Sequence, residues 1–396
     1  MAAIEQDADS FSVGKLWSDK RYRAVLTQIF VISGVFMLLG FLATNAVQNL
    51  EALGKTFGFD FLWVPAGYDI NQTLIPYSSR DSHFRAGVVG LLNTGLIAVC
   101  GCIFATILGF ILGVLRLSHN WLISRIVYCY VEFTRNVPVL VQILLWHGIM
   151  VNTLPGVRQA LSPTEGVFLS QRGFYVPKPI FEEAFLLVVV AFFATIVGMI
   201  FFSRWAKKTQ EATGKIYPVF SIGILAIIGV PVVAFFLAGS PVSLEFPELK
   251  GFNFQGGMVL KPEFTALWFA LSIYTAAFIA EIVRAGIEAV SHGQTEAAYA
   301  LGVKPSWTMR LIIIPQALRV IVPPLTSQYL NLTKNSSLAI AIGYMDIMGT
   351  FGGITLNQTG KEMEVMIIVL GIYLTISLVI SAFMNWYNRR IALVER

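Results

Sequence analysis

Long apolar runs, each near the thickness of a bilayer, alternate along this sequence with short segments that hold most of the charge. Eight runs meet the length and the scarcity of charge that a membrane-crossing helix needs: residues 24–47, 86–115, 127–151, 184–202, 219–238, 265–283, 320–344 and 365–386. The first is too long for a signal-peptide core and lacks a small-residue cleavage site, so it reads as a retained helix. The pattern predicts an all-α polytopic membrane protein of about eight transmembrane helices.

Composition agrees with the pattern. Hydrophobic residues make up 56% of the 396 residues and charged residues 13%. The net charge of +5 does not indicate nucleic acid, because the basic residues flank the apolar runs instead of forming one solvated patch. They carry topology instead. Seventeen Lys and Arg fall in the termini and in the connections 116–125, 203–218 and 284–319, against nine in the opposite set of connections. The positive-inside rule therefore places both termini and the 284–319 connection on the cytoplasmic side of the membrane.

Cys100, Cys102 and Cys129 all fall in or at the edge of spans, where they read as small packing residues and imply no disulfide framework. His83, His119, His147 and His292 lack Cys or carboxylate partners at ligand spacing, so no metal is expected. Only His147 lies inside a predicted span, as a polar packing or pore residue. Gly54, Lys55 and Thr56 spell the end of a phosphate-binding loop, but Asn49 stands where its first glycine belongs and no strand and helix flank it. Without a nucleotide motif elsewhere, this chain is not expected to hydrolyse ATP, and it is expected to hold no cofactor of its own.

Ionisable residues in or beside apolar spans are the remaining chemistry, since a charge in hydrocarbon is costly unless paired or facing water. Glu281 and Arg284 are three apart and fall on one helix face as an ion pair, and Glu132 and Arg135 repeat that spacing. Both pairs read as structural or coupling groups. Lys334 differs, having no acidic residue within a helical turn, and its neighbours Asn331, Thr333, Asn335, Ser336 and Ser337 are polar for a span. Such a stretch predicts an interrupted helix lining an aqueous pathway. Lys334, with Asn335, Ser336 and Gln328 as companions, is a candidate to receive the carboxylate of a solute in that pathway. A carboxylate from another helix neutralising Lys334 is an equal alternative.

The segment EAAYALGVKPSWTMRLIIIPQALR runs from Glu296 to Arg319, and its Glu296, Ala297, Ala298, Gly302, Ile312, Ile314 and Pro315 stand at fixed offsets. That spacing resembles the EAA loop of ABC importer permeases. Residues 296–301 are strongly helix-forming and Gly302 supplies a C-terminal stop. An ordinary interfacial amphipathic helix is the plainer reading of the same segment. Two blocks resemble the polar amino-acid uptake permeases: LLNTGLIAV through YVEFTRNVPVLVQILLW, and YTAAFIAEIVRAGIEAVSHGQTEAA through NLTKNSSLAIAIGYMDIM. Between them stand two extra spans and sizeable loops, an arrangement similar to the larger permease chains of the bacterial general L-amino acid transporter.

The resemblance implies a core of type I ABC importer permease over 86–387, in blocks 86–151 and 264–387 with an insertion at 152–263. Residues 1–85 would hold a cytoplasmic N-terminus, the first span and a periplasmic loop, and 388–396 a cytoplasmic tail. It also implies alternating access for L-amino acids. The implied partners are a cytoplasmic ABC ATPase dimer that carries ATP and Mg, a second and non-identical permease, a periplasmic amino-acid-binding protein, and lipid. An ion-coupled secondary amino-acid transporter is the alternative, with a scaffold without transport as a third. The inserted spans are expected at the periphery of the bundle.

Overall fold

A computed structural model of the chain describes residues 20–52, 54 and 57–391. Most of both termini, with Lys55 and Thr56 of the phosphate-loop look-alike, lies outside the described residues.

Among the described residues, seven helices are long and apolar enough to cross a membrane, or eight spans if a bent helix pair counts as one. They comprise α1 (Lys20–Ala52), α2 (His83–Arg116), α5 (Phe185–Thr213), α6 (Val219–Leu237), α7 (Pro262–Glu288), α12 (Glu362–Ile391) and the run Pro305–Ile342. That run is composite, made of α9 (Pro305–Thr308), a π-helical stretch Met309–Ile313, α10 (Ile314–Asn335) and a 3-10 helix Ser336–Ile342. Pro315, in the first turn of α10, has no N–H to give to the preceding turn, which accounts for the widened π segment just before it. The remaining helices are α3 (Trp121–Asn136), α4 (Val139–Thr153), α8 (His292–Ala300) and α11 (Leu356–Thr359).

The predicted span 127–151 is not one helix. It is the pair α3 and α4, bent by 106° at Val137 and Pro138. Pro138 lacks a donor and forces the residue before it out of the helical region, and Val137 is extended. Apolar composition continues across the break, so hydropathy alone reads through it.

The core is a seam between α2 and α7. Gly101, Ala105, Gly109 and Gly113 recur every four residues along α2 and are buried. A Cβ on Gly109 would lie 2.6 Å from the Ile279 Cβ, and one on Gly113 would lie 2.6 Å from the Val283 Cβ and 2.8 Å from the Ala280 carbonyl oxygen. Alanines of α7 (Ala266, Ala270, Ala276, Ala277 and Ala280) are likewise buried. Lipid tails are as apolar as leucine, so close backbone approach and dispersion hold such helices together. Gly286 of α7 meets Ile321 of α10 in the same manner.

At the other end of the bundle, Asn93 and Thr94 fasten α2 to the chain after the 3-10 helix. Asn93 Nδ2 donates to the Gln72 and Met345 carbonyls, both at 2.9 Å, and Thr94 Oγ1 accepts from the Ile347 N–H at 3.1 Å. A π-helical stretch Met348–Thr355 then packs against Gly87 and Gly90. His83 Nδ1 lies 3.0 Å from the Thr355 hydroxyl, the setting of a satisfied packing histidine. His83 thereby opens a span-length helix, while His147 lies in the 15-residue α4.

The insertion contains more than the expected loops. Eight short strands form a four-stranded sheet ordered β1-β2-β3-β8, a two-stranded sheet β4-β5 whose strands flank the α5–α6 pair, and a hairpin β6-β7. They are β1 (Leu161–Thr164), β2 (Val167–Ser170), β3 (Gly173–Val176), β4 (Lys178–Phe181), β5 (Val242–Glu245), β6 (Glu248–Lys250), β7 (Asn253–Gln255) and β8 (Met258–Leu260). Strands of three or four residues carry too few alternations to stand out in a sequence. Between the two halves of this module runs the α5–α6 hairpin, along which only Val188, Ala206 and Gly223 are buried. Those spans lie at the edge of the bundle. Cys129 of α3 is exposed, whereas Cys100 and Cys102 are partly buried.

Candidate functional site

Helix α8 is exposed at seven of its nine residues. Ser291 caps it by accepting from the Gly293 N–H at 3.3 Å, and Gly302 ends it with φ of +72°. The Gly302 N–H donates to Tyr299 O at 2.9 Å and the Val303 N–H to Ala298 O at 3.0 Å, the paired bonds that close a helix through a left-handed residue. Of the signature residues, Glu296 and Ala297 point outward, while Ala298 is 2% exposed and anchors the helix. Gln316 Nε2 adds a tether to Gln294 Oε1 at 3.2 Å. Ile314 and Pro315 are exposed at the start of α10, and Ile312 is partly buried in the π segment.

Three large apolar side chains stand free around α8. Leu301 is 83% exposed, Trp307 61% and Tyr299 51%. The sequence motif does not include them. Their signal was available as apolar residues in an otherwise polar connection, which have no reason to be there unless covered.

Behind α8 the ends of α2, α3 and α7 converge on a charge cluster. Glu281 accepts from Arg284 at 2.6 Å and also pairs with Arg116 from α2, while Arg284 reaches on to Glu288. The Glu281–Arg284 pair predicted from spacing is present. Glu132 and Arg135 do not form the predicted partnership: Glu132 lies 3.8 Å from Arg116, and the Arg135 guanidinium sits over the Phe278 ring at 5.3 Å. Spacing on one helix cannot foresee a stronger partner supplied by another. Arg116, with its side chain only 11% exposed, is the hub that the sequence reading passed over.

The polar span also differs in detail from expectation. The helix is not broken at Lys334; α10 tightens into a 3-10 helix at Ser336 and stops at Gly343, where φ is +78°. Lys334 is exposed, and among the described residues no carboxylate lies within ion-pairing distance of it. Ser336 is fully buried and donates to the Thr333 carbonyl at 2.8 Å, so its hydroxyl is taken up by a local bond. Gln328 is six residues from Lys334, which at 100° per residue is about 120° round the helix. Asn335 is partly buried. Ser327 and Asn331, both exposed, share the lysine's face instead, with Pro323 and Pro324 exposed a turn before them. Counting back by four and three from Lys334 would have found them.

No group of three or more His, Cys, Asp or Glu capable of holding a metal occurs among the described residues. A lipid-facing side chain gains nothing from being Ser, Asn or Lys, so a helix with one such face serves water, a solute or another subunit.

A span-forming bundle with an exposed capped helix at one end and a polar face on one span is the layout of a transport permease. Residues 211–393 match the family described as binding-protein-dependent transport system inner membrane component. The General L-amino acid transport system permease protein AapQ of Rhizobium johnstonii is 46% identical, with 96% of this chain and 94% of that one covered. The Glutamate/glutamine/aspartate/asparagine transport system permease protein BztB of Rhodobacter capsulatus is 49% identical, covering 98% of this chain and 97% of that protein. The chain belongs to the amino-acid ABC transporter permeases and is a multi-pass membrane protein. The ion-coupled alternative falls with that membership, because these permeases are components of ATP-binding-cassette transporters.

Proposed function

We propose that this permease forms one half of an inward-transport pathway for L-amino acids in a bacterial inner membrane, with both termini cytoplasmic. The observation that carries the reading is the exposed stripe Ser327, Asn331 and Lys334 on a span whose cytoplasmic end leads directly from α8. The relatives' names, general L-amino acid transport and glutamate, glutamine, aspartate and asparagine transport, support the solute class.

In this reading a periplasmic binding protein delivers the amino acid to the outward cavity. Its α-carboxylate meets Lys334, with Asn331 and Ser327 accepting or donating to the rest of the backbone, a charge-assisted contact being stronger than a neutral one. Helix α8 sits in a groove of a separate ATPase dimer, which holds ATP and Mg, and Leu301, Tyr299 and Trp307 fill that groove. ATP binding turns the pair of permeases outward, and hydrolysis resets them. A ligand shifts such an equilibrium only through its different affinity for the two states, so the cavity binds the solute weakly in one of them. The second permease is non-identical, because the inserted module at 152–263 gives this chain a layout that a compact mate lacks.

Affinity purification of the tagged chain from its native host tests the reading. An ATPase, a second permease chain and, with amino acid present, a secreted binding protein in fixed stoichiometry support it; isolation of the chain with no ATPase contradicts it.

A further inference from the structure

We propose that the cavity between α2, α3 and α7, beside α8, is a site for the phosphodiester headgroup of an anionic phospholipid. The cavity measures about 260 Å³ and is lined by Arg116, Trp121, Arg125, Tyr128, Arg284 and Glu288 among others. Its position at a membrane face, and with it the choice of a lipid, rests on the permease reading; the excess of arginines over carboxylates does not.

The argument is one of charge left over. Three guanidiniums meet one lining carboxylate, and that carboxylate, Glu288, is engaged by Arg284. Arg116 is engaged from behind by Glu281 and Glu132, which fixes its fork without filling the cavity. Arg125 has no carboxylate within ion-pairing distance among the described residues. Its guanidinium lies 5.1 Å from the Tyr128 ring centroid, and the Arg116 guanidinium lies 5.1 Å from the same ring. Two arginines aligned by one aromatic ring form a preorganised donor set, and guanidinium forks match phosphate oxygens.

The surroundings point to a lipid and not to a soluble anion. Trp121 is 74% exposed, Leu122 58% and Ile126 61%, so the rim beside Arg125 is aromatic and aliphatic. An exposed tryptophan next to arginines at a helix end is the composition of a headgroup boundary, where apolar rings meet acyl chains and cations meet phosphate. Glu288 is four residues before the start of α8, so a headgroup here braces the helix end from which the coupling segment departs.

The test is a lipid titration of the purified transporter complex in neutral detergent, followed by native mass spectrometry, with dioleoyl phosphatidylglycerol against dioleoyl phosphatidylcholine. Phosphatidylglycerol is expected to bind several-fold more tightly. Arg125→Gln, which breaks no ion pair, is expected to weaken phosphatidylglycerol alone by about fivefold, the factor that one basic residue at an anionic surface supplies. Lys207→Gln on α5, outside the cavity, is expected to change neither lipid. Equal binding of the two lipids, or an Arg125→Gln complex that binds phosphatidylglycerol as wild type does, overturns the proposal. Inorganic phosphate bound at least as tightly as phosphatidylglycerol overturns it in favour of a soluble anion. Loss of the ATPase subunit from Arg125→Gln with lipid binding unchanged overturns it in favour of a protein interface.

Discussion

Replacing Gly302 by valine isolates one physical term. The residue sits at φ +72°, and a Cβ built there meets nothing within 4 Å, so a side chain adds no clash with neighbours and acts through the backbone alone. An L-residue held in the left-handed region costs about 1–2 kcal/mol, and a β-branched one stands at the upper end. Helix α8 has nine residues, too few to persist without its caps and contacts, so the cost falls on the closing bonds from Gly302 to Tyr299 and from Val303 to Ala298. At about 1.4 kcal/mol per factor of ten, the population with a correctly ended helix drops by about fivefold to thirtyfold. Gly302→Asn, which visits that region more readily, is expected to fall between wild type and Val. The assay is amino-acid uptake and substrate-stimulated ATP hydrolysis by the reconstituted complex, with membrane content matched. Full transport by Gly302→Val, or Asn worse than Val, refutes the coupling assignment.

Gly113→Val on the α2–α7 seam is expected to destabilise the chain by about 1–3 kcal/mol, while Gly95→Val, whose added Cβ would meet nothing within 4 Å, loses far less; equal unfolding midpoints would contradict the close-packed seam. Glu281→Gln leaves Arg116 and Arg284 without their shared carboxylate and is expected to lower thermal stability by about 1–3 kcal/mol, more than Glu132→Gln, whose contact is 3.8 Å; the reverse order would move the hub elsewhere. Lys334→Met is expected to weaken uptake of acidic, neutral and basic amino acids alike by about tenfold to a hundredfold, and a loss confined to acidic solutes would place the lysine against a side chain. Cysteines at Leu225 and Phe236 of α6 are expected to be quenched by lipid-borne but not water-borne reagents, with substrate making no difference; protection by substrate would put the insertion in the pathway.

Legibility in the sequence followed the range of the interactions involved. Spans held by their own composition, such as 219–238 and 365–386, were readable to within a few residues, because hydropathy and length are local properties. The stop at Gly302 was readable for the same reason: one residue's conformational freedom decides it. The bend at Pro138 was hidden by apolar residues on both sides, although the proline itself was in view. Partners from distant segments were not readable. Arg116 is 165 residues from Glu281, and only the packing of α2 on α7 through Gly109 and Gly113 brings them together. Lys334 stood out by its isolation, yet the exposed polar residues on its own face, Ser327 and Asn331, required the helical phase, and the Ser336 hydroxyl is taken up by a local bond at the switch into the 3-10 helix.

The most direct test of the central claim is uptake into proteoliposomes holding this chain with its copurified permease and ATPase, with the binding protein outside and ATP inside. The account predicts that L-amino acid accumulation requires both ATP and the binding protein and survives ionophores that collapse every ion gradient. Accumulation driven by an imposed ion gradient without ATP would contradict it.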